Sequence, residues 1–315
     1  MEDMKHISVL LEESIERLDI KPGGIYVDAT LGRAGHSSEI LRRLKGEGFL
    51  YAFDQDEEAI RESTPKLSAI DSNFECIKAN FLHLEEELNK RGVYEIDGIL
   101  FDLGVSSPQL DDASRGFSYH QDAPLDMRMD QSQNFSAYEV VNRYSYQDLY
   151  RIIKDYGEER YAKLIARGIE KARKVKPIET TLQRVDVFKE SLPGKAKRGK
   201  HPATRTFQAI RIEVNRELDV LPQALIDAIN LLNVGGRIAV ITFHSLEDRI
   251  VARILKEHAT TNAPKDLPII PEELKPVLKL HPRKAIMASE EEVEFNKRSR
   301  SARLRGAIKV RDKKI

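Results

Sequence analysis

Asp28-Ala-Thr-Leu-Gly32-Arg-Ala-Gly35-His36-Ser37 decides the fold, because an apolar run (Gly24-Ile-Tyr-Val27) leads into it and a helix-like run (Ser38-Glu-Ile-Leu-Arg-Arg-Leu44) leaves it. The order reads as a strand, a tight glycine turn and a helix start. Glycine lets the backbone pass close to a bound molecule, and a helix opening near Ser37 presents unpaired N–H groups beside it. A second strand, Phe49-Leu-Tyr-Ala-Phe53, ends at Asp54, 19 residues beyond Gly35. An acid so placed, at the end of the next parallel strand, can accept both hydroxyls of a ribose. The stretch reads as a site for a nucleoside cofactor.

The turn lacks the full G-x-G-x-x-G of a dinucleotide site, with Asp28 and Thr30 where a dehydrogenase has its first glycine. Loss of that glycine disfavours a pyrophosphate, and an acid facing the ligand disfavours it further. S-adenosylmethionine, with its ammonium and sulfonium, fits better than a nicotinamide. A purely structural turn is the third reading of so short a motif.

Three more strand ends follow the first. Asn73-Phe-Glu-Cys-Ile-Lys78 reads as a third strand running into Phe81, a candidate adenine contact or core residue. Ile96-Asp-Gly-Ile-Leu-Phe101 is a fourth, ending at Asp102. Asp28, Asp54, Phe81 and Asp102 then converge at the strand ends where open α/β sheets bind ligands. Beyond them the strand–helix alternation breaks. Ser136-x-x-Glu139 and Ser145-x-x-Asp148 are capping-box patterns that open helices, and another helix runs through Tyr161, Leu164, Ile165 and Ile169. The expected organisation is 1–109 as the first part of the sheet domain, 110–205 as a helical insertion, and 206–315 as its second part. Arg237-Ile-Ala-Val-Ile-Thr-Phe243 is a buried fifth strand, followed by His244-Ser-Leu-Glu-Asp248-Arg249, where Asp248 and Arg249 are placed to pair with each other. Lys265 to Pro282 reads as loop, and Arg283–Met287 and Leu304–Val310 as terminal strands.

The 51 basic and 51 acidic side chains cancel, but not locally. Residues 296–315 hold nine Lys or Arg against one acid, and Lys195, Lys197, Arg198, Lys200 and Arg205 cluster in a segment without acids. Both are candidate phosphate contacts, or else a solvated tail and loop. The single cysteine, Cys76, excludes an internal disulfide, and no apolar run approaches a membrane span. A cytoplasmic protein without a membrane partner is expected, and no metal; the oligomeric state is left open.

Several longer motifs, in order, carry a resemblance: the opening turn, Phe101-Asp-Leu-Gly-Val-Ser-Ser-Pro-Gln-Leu-Asp111, Arg115-Gly-Phe-Ser118, Pro124-Leu-Asp-Met-Arg-Met129, Thr206-Phe-Gln-Ala-Ile-Arg-Ile212 and Phe243-His-Ser-Leu-Glu-Asp-Arg249. From His6 to about Arg305 the chain closely resembles the MraW/RsmH family, bacterial methyltransferases of the exocyclic N4 of a cytidine in 16S ribosomal RNA. The resemblance implies a class I S-adenosylmethionine-dependent methyltransferase, with a Rossmann-like, mostly parallel α/β sheet, a C-terminal antiparallel strand and a helical substrate-recognition insertion. It implies cofactor contacts at Ala34, Gly35, His36, Asp54, Phe81, Asp102 and Gln109, and 16S rRNA, within the small ribosomal subunit, as partner. Ala34 departs from the family's usual glycine.

Methyl transfer from a sulfonium needs alignment above all. The N4 lone pair is delocalised into the ring, so an acceptor must hold N–H and favour a pyramidal nitrogen. Asp102 is the candidate acceptor, Phe117 or Tyr119 the candidate stacking ring, and His244 a candidate for substrate contact or proton removal. Lys195, Lys197, Arg198 and Lys200 would grip phosphates around a base that is single-stranded or extruded. A nicotinamide oxidoreductase, a non-catalytic RNA-binding protein, and a DNA or protein methyltransferase are the rival classes.

Overall fold

A computed structural model of the chain describes residues 8–118, 121–193, 202–261, 263–264 and 269–315. It divides into two compact units, 1–104 with 219–315, and 105–218.

The first unit begins with α1 (Leu11–Leu18) and then alternates β1 (Ile25–Asp28), α2 (Gly35–Leu44), β2 (Phe49–Asp54), α3 (Glu57–Ser68), β3 (Phe74–Lys78), α4 (Leu84–Lys90) and β4 (Ile96–Asp102). The second unit, which follows β4 in the chain, holds α5 (Ser107–Asp111), α6 (Ala137–Arg143), α7 (Tyr146–Asp155), α8 (Ala162–Val175), α9 (Thr181–Ser191) and α10 (Pro202–Asn215). After α11 (Glu217–Leu231) the sheet resumes with β5 (Leu232–Thr242), α12 (Ser245–His258), β6 (Leu278–Leu280), β7 (Ile286–Met287) and β8 (Arg303–Lys309).

The strand order is β3-β2-β1-β4-β5-β8-β6, and β7 also pairs with β8. Strands β1 to β5 are parallel, β8 runs antiparallel to β5, and β6 and β7 run antiparallel to β8. The central strands are apolar throughout because both faces are covered, and their residues alternate between two cores. Val27, Phe53, Ile99, Phe101, Ile238 and Val240 face one core with Leu84 and Leu88 of α4, Leu225 and Ile229 of α11, and Val251 and Leu255 of α12. Tyr26, Leu50, Ala52, Leu100, Ala239 and Ile241 face the other, with Ile15 and Leu18 of α1, Ile40, Leu41 and Leu44 of α2, and Leu67 of α3. Each fully buried aliphatic side chain contributes about 1.5–3 kcal/mol.

Two sequence assignments change. Leu278–Leu280, read as loop, is a strand, too short to show a period. Asp248 does not pair with Arg249; its carboxylate accepts from Arg305 Nε (2.7 Å) and Nη2 (3.0 Å) and from Arg303 Nη1 (3.0 Å). Burial alone would raise that carboxyl, but the Arg305 and Arg303 guanidinium groups bring it below its ordinary value. The pairing ties the start of α12 to β8, the strand that extends the sheet beyond β5.

The second unit has its own core, in which Val140, Val141, Leu149, Ile152, Ile153, Ile165, Ile169, Val185 and Phe188 meet Phe207, Ile210 and Val214 of α10. Positions 110 and 205, drawn from sequence, both fall inside this unit, because α10 packs on α6, α7 and α9. The charged loop before α6 braces itself. Arg115, 2% exposed, donates from Nη2 to the carbonyls of Arg128 and Met129, and Arg128 clasps the Asp126 carboxylate.

Asp248→Ala leaves two arginines without their acceptor and should cost about 2–4 kcal/mol in chemical denaturation. The loss should shrink as pH falls through the lowered pKa, since protonation removes the same pairing from the parent.

Candidate active site at the ends of β1, β2 and β4

Strand β1 is the middle of the site, and its register fixes the two acids beside it. Asp28 lies opposite Ala52 of β2 and Leu100 of β4, so Asp54 and Asp102 each stand two residues further along, on either side of the turn that leaves β1. This is also where strand order reverses, the crevice in which open α/β sheets take ligands.

The turn is latched at both flanks. Gly32 N–H donates to Asp54 Oδ2 (2.9 Å), and Thr30 Oγ1 accepts from the Asp102 N–H (2.7 Å). Leu31 N–H reaches the Phe53 carbonyl (2.7 Å), and Ser63 Oγ of α3 donates to the Gly32 carbonyl (2.7 Å). Asp28 differs from its sequence reading. It is 1% exposed, its Oδ2 accepts from Ser37 Oγ (2.7 Å) and its Oδ1 from Thr30 N–H (3.0 Å). Its carboxylate therefore holds the turn closed, and adds negative potential rather than a direct ligand contact.

Gly32 and Ala34 both lie in the left-handed region, at φ 49° and 65°. Ala34 takes this conformation as the N-cap of α2 despite its methyl group. A Cβ on Gly35 would sit 1.7 Å from Ser8 Oγ and 3.0 Å from Ser8 Cβ, so a larger residue there would have to displace the Ser8 side chain.

His36 is 4% exposed, and its Nε2 is 3.1 Å from the Val9 carbonyl. A carbonyl only accepts, so Nε2 carries the proton and Nδ1 presents a lone pair. Burial lowers the His36 pKa, against the pull of Asp28, which agrees with a neutral ring. Nδ1 lies 3.6 Å from Asp102 Oδ2, too far for a hydrogen bond.

The two flanking acids are charged at a cost. Burial pushes the Asp54 carboxyl up to about 6, with N–H groups of Asp56 and Gly32 opposing, and Asp56 and Asp28 adding repulsion. Burial, then Asp28 and Glu247, hold the Asp102 carboxyl well above its ordinary value. Asp102 Oδ1 is buried with no hydrogen-bond partner. A buried acceptor without a donor costs about 1–3 kcal/mol, and a cationic or N–H-bearing ligand would remove that deficit.

At the end of β3, Phe81 is half-buried and meets Phe101 edge-on, with centroids 5.6 Å apart. The β2 and β3 ends are tied by Asn80 Nδ2 donating to Gln55 Oε1 (2.9 Å). Past β5, His244 is the N-cap of α12. Its Nδ1 accepts from Glu247 N–H (3.4 Å), and the Glu247 carboxylate accepts from Phe243 N–H (3.0 Å), so the histidine has a structural duty. Its Nε2 is 3.0 Å from Glu247 Oε1 but out of line for a hydrogen bond.

In the helical unit Gln109 is 5% exposed and closes the capping box of α5, accepting from Ser106 N–H at 3.0 Å. Phe117 is 6% exposed and packed with Leu125, Met127 and Met129, which leaves no face to stack on a base in this conformation. Tyr119, Lys195, Lys197, Arg198 and Lys200 lie outside the described residues. Thr30, Ser37, Ser63 and Glu247 escaped the sequence reading. Only Asp28-x-Thr30 carried a signal, the side-chain-to-backbone turn typical of aspartate.

A parallel sheet read at its switch point, an acid at the end of β2, a glycine turn and an antiparallel strand set against β5 together define a methyltransferase of the nucleoside-cofactor type. The chain belongs to the MraW methylase family, whose model matches residues 3–310. It is 56% identical, over 98% of this chain and 99% of the other, to the ribosomal RNA small subunit methyltransferase H of Exiguobacterium sibiricum. Two solved structures align more distantly. An rRNA methylase from Streptococcus thermophilus shares 12% identity over 97% of this chain and 99% of that one, with a TM-score of 0.44. A putative methyltransferase from Streptococcus mutans in complex with SAH shares 14% over 96% and 99%, with a TM-score of 0.42. No described helix is long and apolar enough to cross a membrane.

Ala34→Gly should raise stability by about 1 kcal/mol in chemical denaturation, because it relieves the left-handed alanine. Asp54→Asn should weaken S-adenosylmethionine binding roughly 10- to 100-fold by calorimetry, the worth of hydrogen bonds to a charged acceptor. The raised Asp54 carboxyl contributes stability below about pH 4 that is lost as pH rises through about 6. Unliganded parent should therefore lose ground to Asp54→Asn over that window.

Proposed function

We propose that the chain transfers the methyl group of S-adenosylmethionine to the exocyclic N4 of one cytidine in 16S ribosomal RNA, within the small ribosomal subunit. The observation that carries this reading is the unpartnered, buried Oδ1 of Asp102 at the end of β4, beside a turn latched to Asp54. The family and the 56% identical ribosomal RNA methyltransferase support the substrate class.

The residues present fit the cofactor. The Gly32–His36 turn and the first N–H groups of α2 would border it, Asp54 would take the ribose hydroxyls, Phe81 would meet the adenine, and Asp102 would face the charged end. When bound, S-adenosylmethionine supplies an electrophilic methyl on a sulfonium. The chain contributes position and charge. Carboxylates of Asp28, Asp54, Asp102 and Glu247 make a negative site suited to a cation, an attraction worth more in a partly buried site than in water. Asp102, once ionised, accepts N4–H and holds the amine with its lone pair turned toward the methyl. Neutral amine attack needs no prior deprotonation; the proton leaves N4 afterward to water. His36, fixed by Val9, backs the Asp102 carboxylate with a neutral ring rather than a second charge.

Labelled methyl transfer to small ribosomal subunits and to free small-subunit RNA tests the proposal, with the modified nucleoside identified by mass. N4-methylcytidine at one site is expected, with subunits the preferred substrate. Intact cofactor binding without transfer to either would mark a binding protein instead.

Because the ionised form of Asp102 is the acceptor and its pKa is raised, kcat/KM should climb with pH through that raised value. Asp102→Asn should lower turnover on the order of 100-fold and flatten that limb of the profile. A variant that kept the parent's rate and profile would remove the carboxylate from the reaction.

A further inference from the structure

The outer face of α7 and α8 carries an arrangement that the methyl-transfer site does not use. Leu149, Ile152 and Ile153 are the buried residues of α7, and Tyr146, Tyr150 and Lys154 run four residues apart along its flank, the two tyrosines resting in part on the core. Tyr146 and Tyr150 are half-buried and nearly parallel, with planes 9° apart and centroids 6.4 Å apart. On α8, Ala162, Ile165, Ala166 and Ile169 face inward, and Lys163, Arg167 and Lys171 repeat every four residues on the exposed side. The two rows meet. Lys154 and Lys163 Nζ lie 5.7 and 5.8 Å from the Tyr150 ring centre, and Arg167 Cζ lies 5.9 Å from that of Tyr146.

The cations of this face are held differently from several on the sheet unit. On the sheet unit, Arg42, Arg43, Arg61, Lys90 and Arg91 are each neutralised by a glutamate three or four residues away. Among the described residues, Lys154, Lys163 and Arg167 have no carboxylate partner; their contacts are aromatic. Helix α8 holds five Lys or Arg against Glu170, which pairs with Lys174. Asp148 and Asp155 are the exposed acids of α7, and Asp148 is engaged by Ser145.

Cations that track a phosphate backbone, interleaved with rings that present π-faces, are the two elements by which proteins hold single-stranded nucleic acid. We propose that Tyr146, Tyr150, Lys154, Lys163 and Arg167 form a platform for a single-stranded stretch of RNA, with bases stacked at the tyrosines and phosphates held by the cations. The platform deepens the reading of the chain as an rRNA methyltransferase and rests on it for the identity of the strand.

The test uses full-length protein and a fluorescent single-stranded RNA oligonucleotide, with affinity measured across a salt series. Lys163→Ala with Arg167→Ala should weaken binding and flatten the slope of log K against log salt by roughly 1.4, two phosphate contacts at about 0.7 each. Tyr150→Ala should weaken it roughly 5- to 100-fold, the range for one stacked base, while Tyr150→Phe keeps parental affinity. Arg61→Ala, in the sheet unit, serves as charge control, and circular dichroism with S-adenosylmethionine calorimetry checks folding and the cofactor site. Parental affinity and slope in the α7–α8 variants would overturn the platform. So would a loss in the cation variant alone, which would mark a general polyanion surface. Methyl transfer by the parent protein is scored separately, so failure of the enzyme assignment is distinguishable from failure of the platform.

Discussion

The parallel pairing of β1 with β2 and β4 is the constraint on which everything else rests. Backbone hydrogen bonds set Asp28 opposite Ala52 and Leu100, and from that register Asp54 and Asp102 can only flank the turn. A slip of one residue would send both carboxylates to the other face of the sheet. The register is held by apolar packing on two sides, with Leu50, Ala52 and Leu100 in one core and Phe53, Ile99 and Phe101 in the other. Stability and chemistry are thus built by the same alternation.

The site stores unfavourable electrostatics that the fold makes good elsewhere. Asp28, Asp54, Asp102 and Glu247 lie near one another in low dielectric, and burial raises the Asp54 and Asp102 carboxyls. Nearby the chain avoids adding cost. His36 is kept neutral by burial while the Val9 carbonyl fixes its tautomer, and Asp28 is satisfied by Ser37 and Thr30. Perturbed carboxylates of this kind mark functional sites more often than structural ones. Asp248 shows the contrast: also a buried carboxylate, it is paired with Arg303 and Arg305 and its pKa falls.

Several motif residues hold the scaffold. Arg115 and Arg128 brace their own loop, Gln109 caps α5 and His244 caps α12. A charged or aromatic residue in an irregular segment therefore need not touch substrate. The irregular backbone itself creates carbonyls and N–H groups that must be satisfied, and long polar side chains are the means.

By itself the sequence determined the parallel sheet, the glycine turn, the acids at the ends of β2 and β4 and the helical insertion, because each is a local signal: a period, a turn residue, a cap. The motifs added the family. Only the tertiary structure decided which of these groups share a face and which are already engaged. Asp28 turns inward to Ser37, Asp248 reaches residues 55 and 57 positions away, Phe117 is enclosed, and Tyr146 and Tyr150 gain Arg167 and Lys163 from another helix. Those facts depend on contacts between distant segments and on solvent exclusion, and neither is written in the spacing of residues along the chain.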